Sequence, residues 1–257
     1  MSYDWSQKVV FITGASSGIG GSLAVELGRR GASVGLLARR AEALQEIAAG
    51  VEKAGGRALT LPADVKDAAA VRAAADELRA AFGRIDVLIA NAGVATTADA
   101  SQLKAEEVAE LFTVNVIGAS NSVTAVLPEM ISQGSGYLVA ISSLAAYRGL
   151  PKSSAYSASK AAVSAFFESL RLDLKNKNID VSIIHPGFIK TPLTAGRKAK
   201  MPYLMELGDA TQKIIRAIER KKKSYAFPWQ LATVVRAGMF MPIFMYDWIA
   251  SKNSFRE

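Results

Sequence analysis

Tyr156 and Lys160 are the side chains best spaced for chemistry in this 257-residue sequence. They stand at i and i+4, so a helix would put both on one face. A phenol near its reference pKa of about 10 is a poor base at neutral pH, and bringing it to about 7 requires roughly 4 kcal/mol in favour of the phenolate. A unit positive charge about 4 Å away, at an effective dielectric of about 20, supplies a similar amount. An ammonium is therefore the group that such a phenol needs, and a glutamine would not serve. Upstream, Ser142 and Ser143 close an apolar run and offer hydroxyls that could hold a substrate oxygen. Each feature alone is commonplace: Tyr-x-x-x-Lys occurs on many exposed helices, and a serine pair can simply end a strand.

A second cluster is built for phosphate. Thr13-Gly14-Ala15-Ser16-Ser17-Gly18-Ile19-Gly20 joins the strand run Val9–Val10–Phe11–Ile12 to a helix. Glycine is wanted where the chain bends tightly and where backbone must approach a pyrophosphate. Gly20 or Gly21 would also let the helix pack against the sheet, and the helix N-terminus offers N–H groups and partial positive charge. The bland alternative is a glycine-rich turn with no ligand.

In such an arrangement a carboxylate near the end of the second strand holds the 2′-hydroxyl of NAD. This chain has Ala38, Arg39 and Arg40 there. A carboxylate would repel the extra phosphate of NADP, whereas a guanidinium can pair with it through two parallel bonds. Two arginines at a helix start also oppose its macrodipole and so want a compensating anion. The reading is NADP(H).

The elements that must position these groups alternate along the chain. Strand runs are expected at 9–12, 33–38, 58–61, 85–90, 137–142 and 181–184, and helices at 23–30, 42–54, 68–82, 105–115, 118–132 and 154–175. The strands are continuous apolar runs, as expected when helices cover both faces of a sheet. The fold class is α/β: a Rossmann-type doubly wound parallel sheet with helices on both faces, forming a single domain over 1–257. Residues 188–207 read as an excursion for substrate, with Pro192, Gly196 and Pro202. Residues 225–250 are aromatic, Met-rich and apolar, but Arg236, Asp247, Pro228 and Pro242 break them, so they are no membrane span. A lid, a subunit contact or a peripheral membrane contact all remain open for this segment.

Composition narrows the classes. The chain has no cysteine, which excludes disulfides, thiolate nucleophiles and Cys-based metal sites. Its one histidine, His185, cannot build a multi-His metal site, and it reads as a structural residue. No metal is expected. The start, Met1 to Lys8, lacks the pattern of a secretory signal, so the expected location is cytoplasmic. The net charge of +8 would suit nucleic acid, an anionic cofactor or an acidic membrane surface. Apart from Arg220–Lys223 the cations are scattered, with no interleaved aromatic residues, and nucleic acid is set aside.

Taken together, the T-G-x-x-x-G-x-G turn, the serine, and Tyr-x-x-x-Lys resemble the short-chain dehydrogenase/reductase family, from Lys8 to Thr191, and the Ala38-Arg39-Arg40 pair resembles its NADP-preferring members. The resemblance implies a cofactor site of Gly14, Ser16, Ser17, Gly18, Ile19, Gly20, Arg39, Arg40, Asp64 and Val65 beside adenine, and Asn91-Ala92-Gly93. To these it adds Tyr156, Lys160, Pro186, Gly187, Ile189 and Thr191 around nicotinamide. It implies Ser143, rather than Ser142, as the substrate-binding serine, Tyr156 as general acid/base, and Lys160 as its modulator. Asn115 would be a helix-interrupting asparagine whose backbone serves a proton relay. The implied activity is hydride transfer between nicotinamide and a carbonyl or secondary alcohol, in a homodimer or homotetramer built through the two long central helices. A hydrophobic ketone suits the apolar C-terminus. A 3-oxoacyl-thioester reductase is an alternative, its acidic carrier met by lysines at 190, 198, 200 and 221–223. A non-catalytic NADP-binding sensor is another, weakened by the intact Ser-Tyr-Lys set.

Overall fold

Val9–Thr13 forms β1, and all five residues are buried. Side chains alternate across a strand. Val10 and Ile12 enter one apolar layer with Leu23 and Leu27, while Val9 and Phe11 enter the opposite layer with Val71 and Leu78. Neither face meets water, which is why the run is apolar throughout. The chain is described over residues 3–196 and 200–252 in a computed structural model.

The other strands are Ser33–Ala38 (β2), Arg57–Pro62 (β3), Val87–Ala90 (β4), Gly136–Ile141 (β5), Ile179–Pro186 (β6) and Ser224–Phe227 (β7). All pairings are parallel, in the spatial order β3-β2-β1-β4-β5-β6-β7. The connection changes direction between β1 and β4, and the carboxyl ends of these strands open a crevice there. This is the doubly wound parallel sheet expected from the alternating pattern.

Helices Gly18–Arg29 (α1), Ala41–Lys53 (α2) and Leu207–Glu219 (α7) cover one face. Ala68–Phe82 (α3), Gly118–Ser132 (α5) and Ser154–Asp173 (α6) cover the other. The limits of α3 agree with those read from sequence, and local chemistry explains why. Asp67 accepts from the amides of Ala69 and Ala70 at its start, and Gly83, at φ 83°, ends it in the left-handed region.

Two regions differ from the sequence reading, and a third takes a form it left open. The two central helices are one run: Ala105–Phe112 (α4) passes through a π-helical turn at Thr113–Ile117 directly into α5. By length and composition this run, Ala105–Ser132, could cross a membrane. Here Val123, Val126 and Met130 pack it onto the sheet instead. A seventh strand, β7, and the preceding α7 were not expected. β7 has only Ser224 and three apolar residues, Tyr225, Ala226 and Phe227, between a lysine run and Pro228, and its pairing with Ile183–Pro186 in β6 is what makes it a strand. Finally, the apolar C-terminus forms Trp229–Phe240 (α8) and Ile243–Lys252 (α9), neither long enough to span a bilayer.

Candidate active site

The phosphate turn is assembled by contacts that only glycine permits. Gly14 has φ 68°, and a Cβ there would lie 2.7 Å from Ala92 Cα. A Cβ at Gly20 would overlap the Gly14 carbonyl and the Asn91 amide. Asn91 Nδ2 donates to the carbonyls of Thr13 and Gly14 at 3.0 and 3.1 Å, so this asparagine holds the turn at the end of β4 against the turn after β1. Thr13 Oγ1 accepts from the amides of Asn91 and Ala92, both at 3.3 Å. The sequence reading did not assign Thr13 this part, although the threonine before Gly14 was visible.

At the start of α1, Ser17 makes no side-chain cap and no acidic residue stands in the first turn. The leading amides and the helix dipole therefore favour an anion from outside. Ile19 packs into the layer containing Leu23. The open glycine cradle and the uncapped helix start fit a dinucleotide pyrophosphate. A groove of about 520 Å³ between α1 and α7 touches Ser17 and Gly18 and lies apart from Ser143, Tyr156 and Lys160.

At the end of β2 the two arginines diverge. Arg40 donates from Nη2 to Ser16 Oγ at 3.0 Å, bridging β2 to the phosphate turn. Arg39 is exposed and leans toward Asp64, 3.9 Å away. Asp64 also accepts from the Lys66 amide at 3.0 Å. Val65 is buried against α5: a Cβ at Gly118 would meet Val65 Cγ2 at 2.7 Å.

Lys160 is buried, and its Nζ donates to the Ile141 carbonyl at the end of β5 across 2.9 Å. Loss of water pulls its pKa down to about 8, so it remains largely charged at neutral pH. It shares its helix face with Tyr156, whose ring centroid is 5.9 Å from Nζ. A Cβ at Gly93 would come within 3.4 Å of the same Nζ, which sets the Asn91-Ala92-Gly93 turn beside the ammonium.

The two serines after β5 do different work. Ser142 Oγ bonds into α6 through the Lys160 carbonyl at 3.1 Å and Ser164 Oγ at 2.8 Å. Ser143 Oγ accepts from the Ala145 amide at 3.1 Å, which leaves its proton to donate. That acceptor bond caps the short turn Leu144–Ala146, which packs against α6. Behind it, His185 is buried and its Nδ1 lies 3.3 Å from the Ser143 carbonyl. A carbonyl only accepts, so Nδ1 carries the proton. Burial, and then repulsion by Arg236, pull the His185 pKa down to about 4. This neutral histidine positions the Ser143 backbone.

Asn115 sits inside the π turn and is buried. Its Oδ1 accepts from the Val94 amide at 2.8 Å, and its Nδ2 donates to the Val94 carbonyl and to Ser159 Oγ, both at 3.0 Å. Ser159 in turn donates to the Tyr156 carbonyl at 2.9 Å. The interruption of the helix thus ties the segment after β4 to the turn of α6 that bears Tyr156. Ser159 is a second positioning residue that sequence spacing did not single out.

At the end of β6, Pro186 and the following Gly187 lie against the end of β7, where the Gly187 amide donates to the Phe227 carbonyl at 2.7 Å. Ile189 is buried and bridges to Met205, while its carbonyl accepts from Thr194 Oγ1 at 2.6 Å. Thr191 Cβ would be 3.5 Å from a Cβ on Gly18, so this loop closes over the phosphate turn. Lys198 lies outside the described residues.

Known proteins share this fold. Residues 8–202 match the family described as short chain dehydrogenase. The chain is 41% identical over 244 residues to an uncharacterized oxidoreductase of Myxococcus xanthus, covering 95% of this chain and 96% of the relative. An NAD+-bound xylitol dehydrogenase superposes with a TM-score of 0.80 at 27% identity, over 87% of this chain and 98% of that one. An alcohol dehydrogenase from the archaeon Thermococcus sibiricus, complexed with 5-hydroxy-NADP, gives 0.77 at 26% identity, over 86% and 95%. By the extent of these matches and by its sheet order, the chain belongs to the short-chain dehydrogenase/reductase family of oxidoreductases, whose fold binds a nicotinamide cofactor.

Proposed function

We propose that the protein is an NADP(H)-dependent carbonyl reductase or secondary-alcohol dehydrogenase in which Tyr156 moves the proton. The observation that carries the reading is the buried Lys160 ammonium on the Tyr156 face of α6, held by a carbonyl and by no carboxylate among the described residues. A positive charge on that face favours the phenolate form of the ring's hydroxyl over the neutral phenol. Tyr156 would give its proton to the substrate oxygen in reduction and take it back in oxidation, while the Ser143 hydroxyl donates to that oxygen and orients it. A bound nicotinamide supplies the hydride chemistry and, when oxidised, further positive charge.

Preference for NADP(H) is supported by Arg40 on Ser16, by Arg39 beside it, and by the lack of a carboxylate at Ala38. The relatives include structures with NAD and with an NADP derivative, so family membership alone does not choose. An acidic carrier protein finds less support. Lys190 is paired with Glu206 and Lys221 with Asp180, which neutralises two of the lysines that would receive it. Assembly as a homodimer or homotetramer through α4 and α5 is part of the proposal. It is supported by Ile117 and Ile131, which are exposed on that run.

The deciding experiment is Tyr156→Phe, assayed by carbonyl-dependent oxidation of NADPH and separately by NADPH binding. Turnover falls at least a hundredfold with binding retained. Undiminished turnover overturns the assignment.

A further inference from the structure

α8 joins two turns at the carboxyl ends of the sheet. At its start Pro228 and Leu231 pack on the turn after β6: a Cβ on Gly187 would meet them at 3.0 and 3.2 Å. At its end Arg148 clamps the corner with α9 by donating to the carbonyls of Gly238 and Met241. Between these anchors Arg236 donates from Nη2 to the Tyr147 hydroxyl at 3.1 Å, and its guanidinium carbon lies 5.4 Å from the centroid of that ring. The Tyr147 ring rests on His185, centroid to centroid 4.8 Å, and His185 Nδ1 donates to the Ser143 carbonyl. Arg236 therefore reaches Ser143 through two side chains, at the carboxyl ends of β5 and β6, where ligands of open parallel sheets gather.

Arg236 has no counter-charge. Among the described residues neither Arg148 nor Arg236 forms an ion pair. Arg148 is occupied by the helix carbonyls and by the Tyr246 ring. Arg236 bonds to the phenol oxygen, and a hydroxyl that accepts from a guanidinium keeps its own proton to donate. The neighbouring sequence offers no acid. Asp and Glu are absent from 130–167, which carries β5, Ser143 and Tyr156, from 181–205, which carries most of β6 and the loop after it, and from 224–246, which carries β7 and α8. Asp247 follows in α9 and pairs with neither arginine.

Cofactor phosphates do not account for this charge. The phosphate turn, Arg39 and Arg40 follow β1 and β2, and β1, β4 and β5 stand between β2 and β6. At about 4.8 Å per strand the ends of β2 and β6 are roughly 19 Å apart. We propose that the substrate is an oxo acid or the matching hydroxy acid, whose carboxylate is held by the Arg236 guanidinium and the Tyr147 hydroxyl. The inference rests on the hydride-transfer reading and gives its substrate a charge. A guanidinium N–H and a phenol O–H side by side suit the two oxygens of one carboxylate, and the bond to the guanidinium is charge-assisted. A neutral ketone would leave both donors without that acceptor.

The probes are 5-oxohexanoate, 7-oxooctanoate and 9-oxodecanoate, each beside its methyl ester, so that charge changes while chain and ketone stay. Titration calorimetry with NADP+ present reads binding without turnover, and NADPH oxidation is followed separately. At least one acid binds about tenfold or more tightly than its ester. In Arg236→Gln that ratio falls close to one, Arg236→Lys restores part of it, and Tyr147→Phe lowers it. A merely structural Arg236 would weaken acid and ester alike and leave the ratio standing. Wild-type protein that binds no acid, or binds every acid and ester equally, overturns the proposal, and so does an undiminished ratio in Arg236→Gln. An acid preference controlled by Arg236 but without NADPH oxidation sustains the anion site and counts against the hydride-transfer reading instead.

Discussion

Lys160 Nζ donates to the carbonyl oxygen of Ile141, two residues before Ser143, and so joins the middle of α6 to the end of β5. One bond thereby aligns the ammonium with the strand end that carries Ser143. The cost is a charged group out of water, seen in a pKa drawn down to about 8.

Removing that charge separates stability from function. Lys160→Met is expected to raise the unfolding free energy of the cofactor-free protein at neutral pH by about 1–3 kcal/mol, and to lower turnover at least a hundredfold. An unfolded lysine binds its proton below 10.5 and the folded one below about 8. Between these values the unfolded chain holds more protons, so wild-type stability rises as pH rises through the window. Denaturant melts across it should show that rise in wild type and a flat line in the variant.

His185 gives a second window at acid pH. Its folded pKa of about 4 lies below the ordinary 6.5. Between them the unfolded chain again binds more protons, so stability is lost as pH falls from 6.5 toward 4, by up to roughly 3 kcal/mol. His185→Gln should remove this acid dependence in melts followed by circular dichroism. If the two curves keep the same slope, the neutral-histidine assignment is wrong.

Cofactor choice rests on Arg39 and Arg40. Replacing either with alanine should weaken NADPH binding by about tenfold or more and leave NADH binding nearly unchanged, since a charge-assisted bond to the 2′-phosphate is worth about 1.5–3 kcal/mol. Calorimetric titration with both nucleotides reads the difference. A wild-type preference for NADH defeats the NADP reading before any substitution is made.

Gly20→Ala tests the phosphate turn. The added methyl would meet the Gly14 carbonyl and the Asn91 amide, both fixed by the bond between them. A stability loss of about 1–3 kcal/mol is expected, with nucleotide affinity falling by about tenfold or more. Fluorescence titration of NADPH and a thermal melt measure the two effects.

Much of the fold was readable because its signals are local. The continuous runs at Val9–Ile12 and Ser33–Ala38, the Asp67 cap and the Gly83 stop declare their elements within a few residues. β7 was not readable, since its three apolar residues become a strand only through the ladder to β6. The π turn at Asn115 likewise depends on a distant partner, Val94, whose amide donates to the asparagine side chain and whose carbonyl accepts from it.

Sequence by itself determined which groups are available for chemistry and the order in which strand and helix carry them, because residue type and short-range periodicity belong to the local chain. Tertiary structure alone decided how adjacent residues divide their work. Ser142 turns into α6 and Ser143 onto the turn at Leu144–Ala146 because successive side chains on an extended strand point opposite ways, and only the assembled sheet says which side holds the helix. It alone also decided that the apolar C-terminus stays exposed as a corner clamped by Arg148, since composition does not reveal whether an apolar face has a neighbour to pack against.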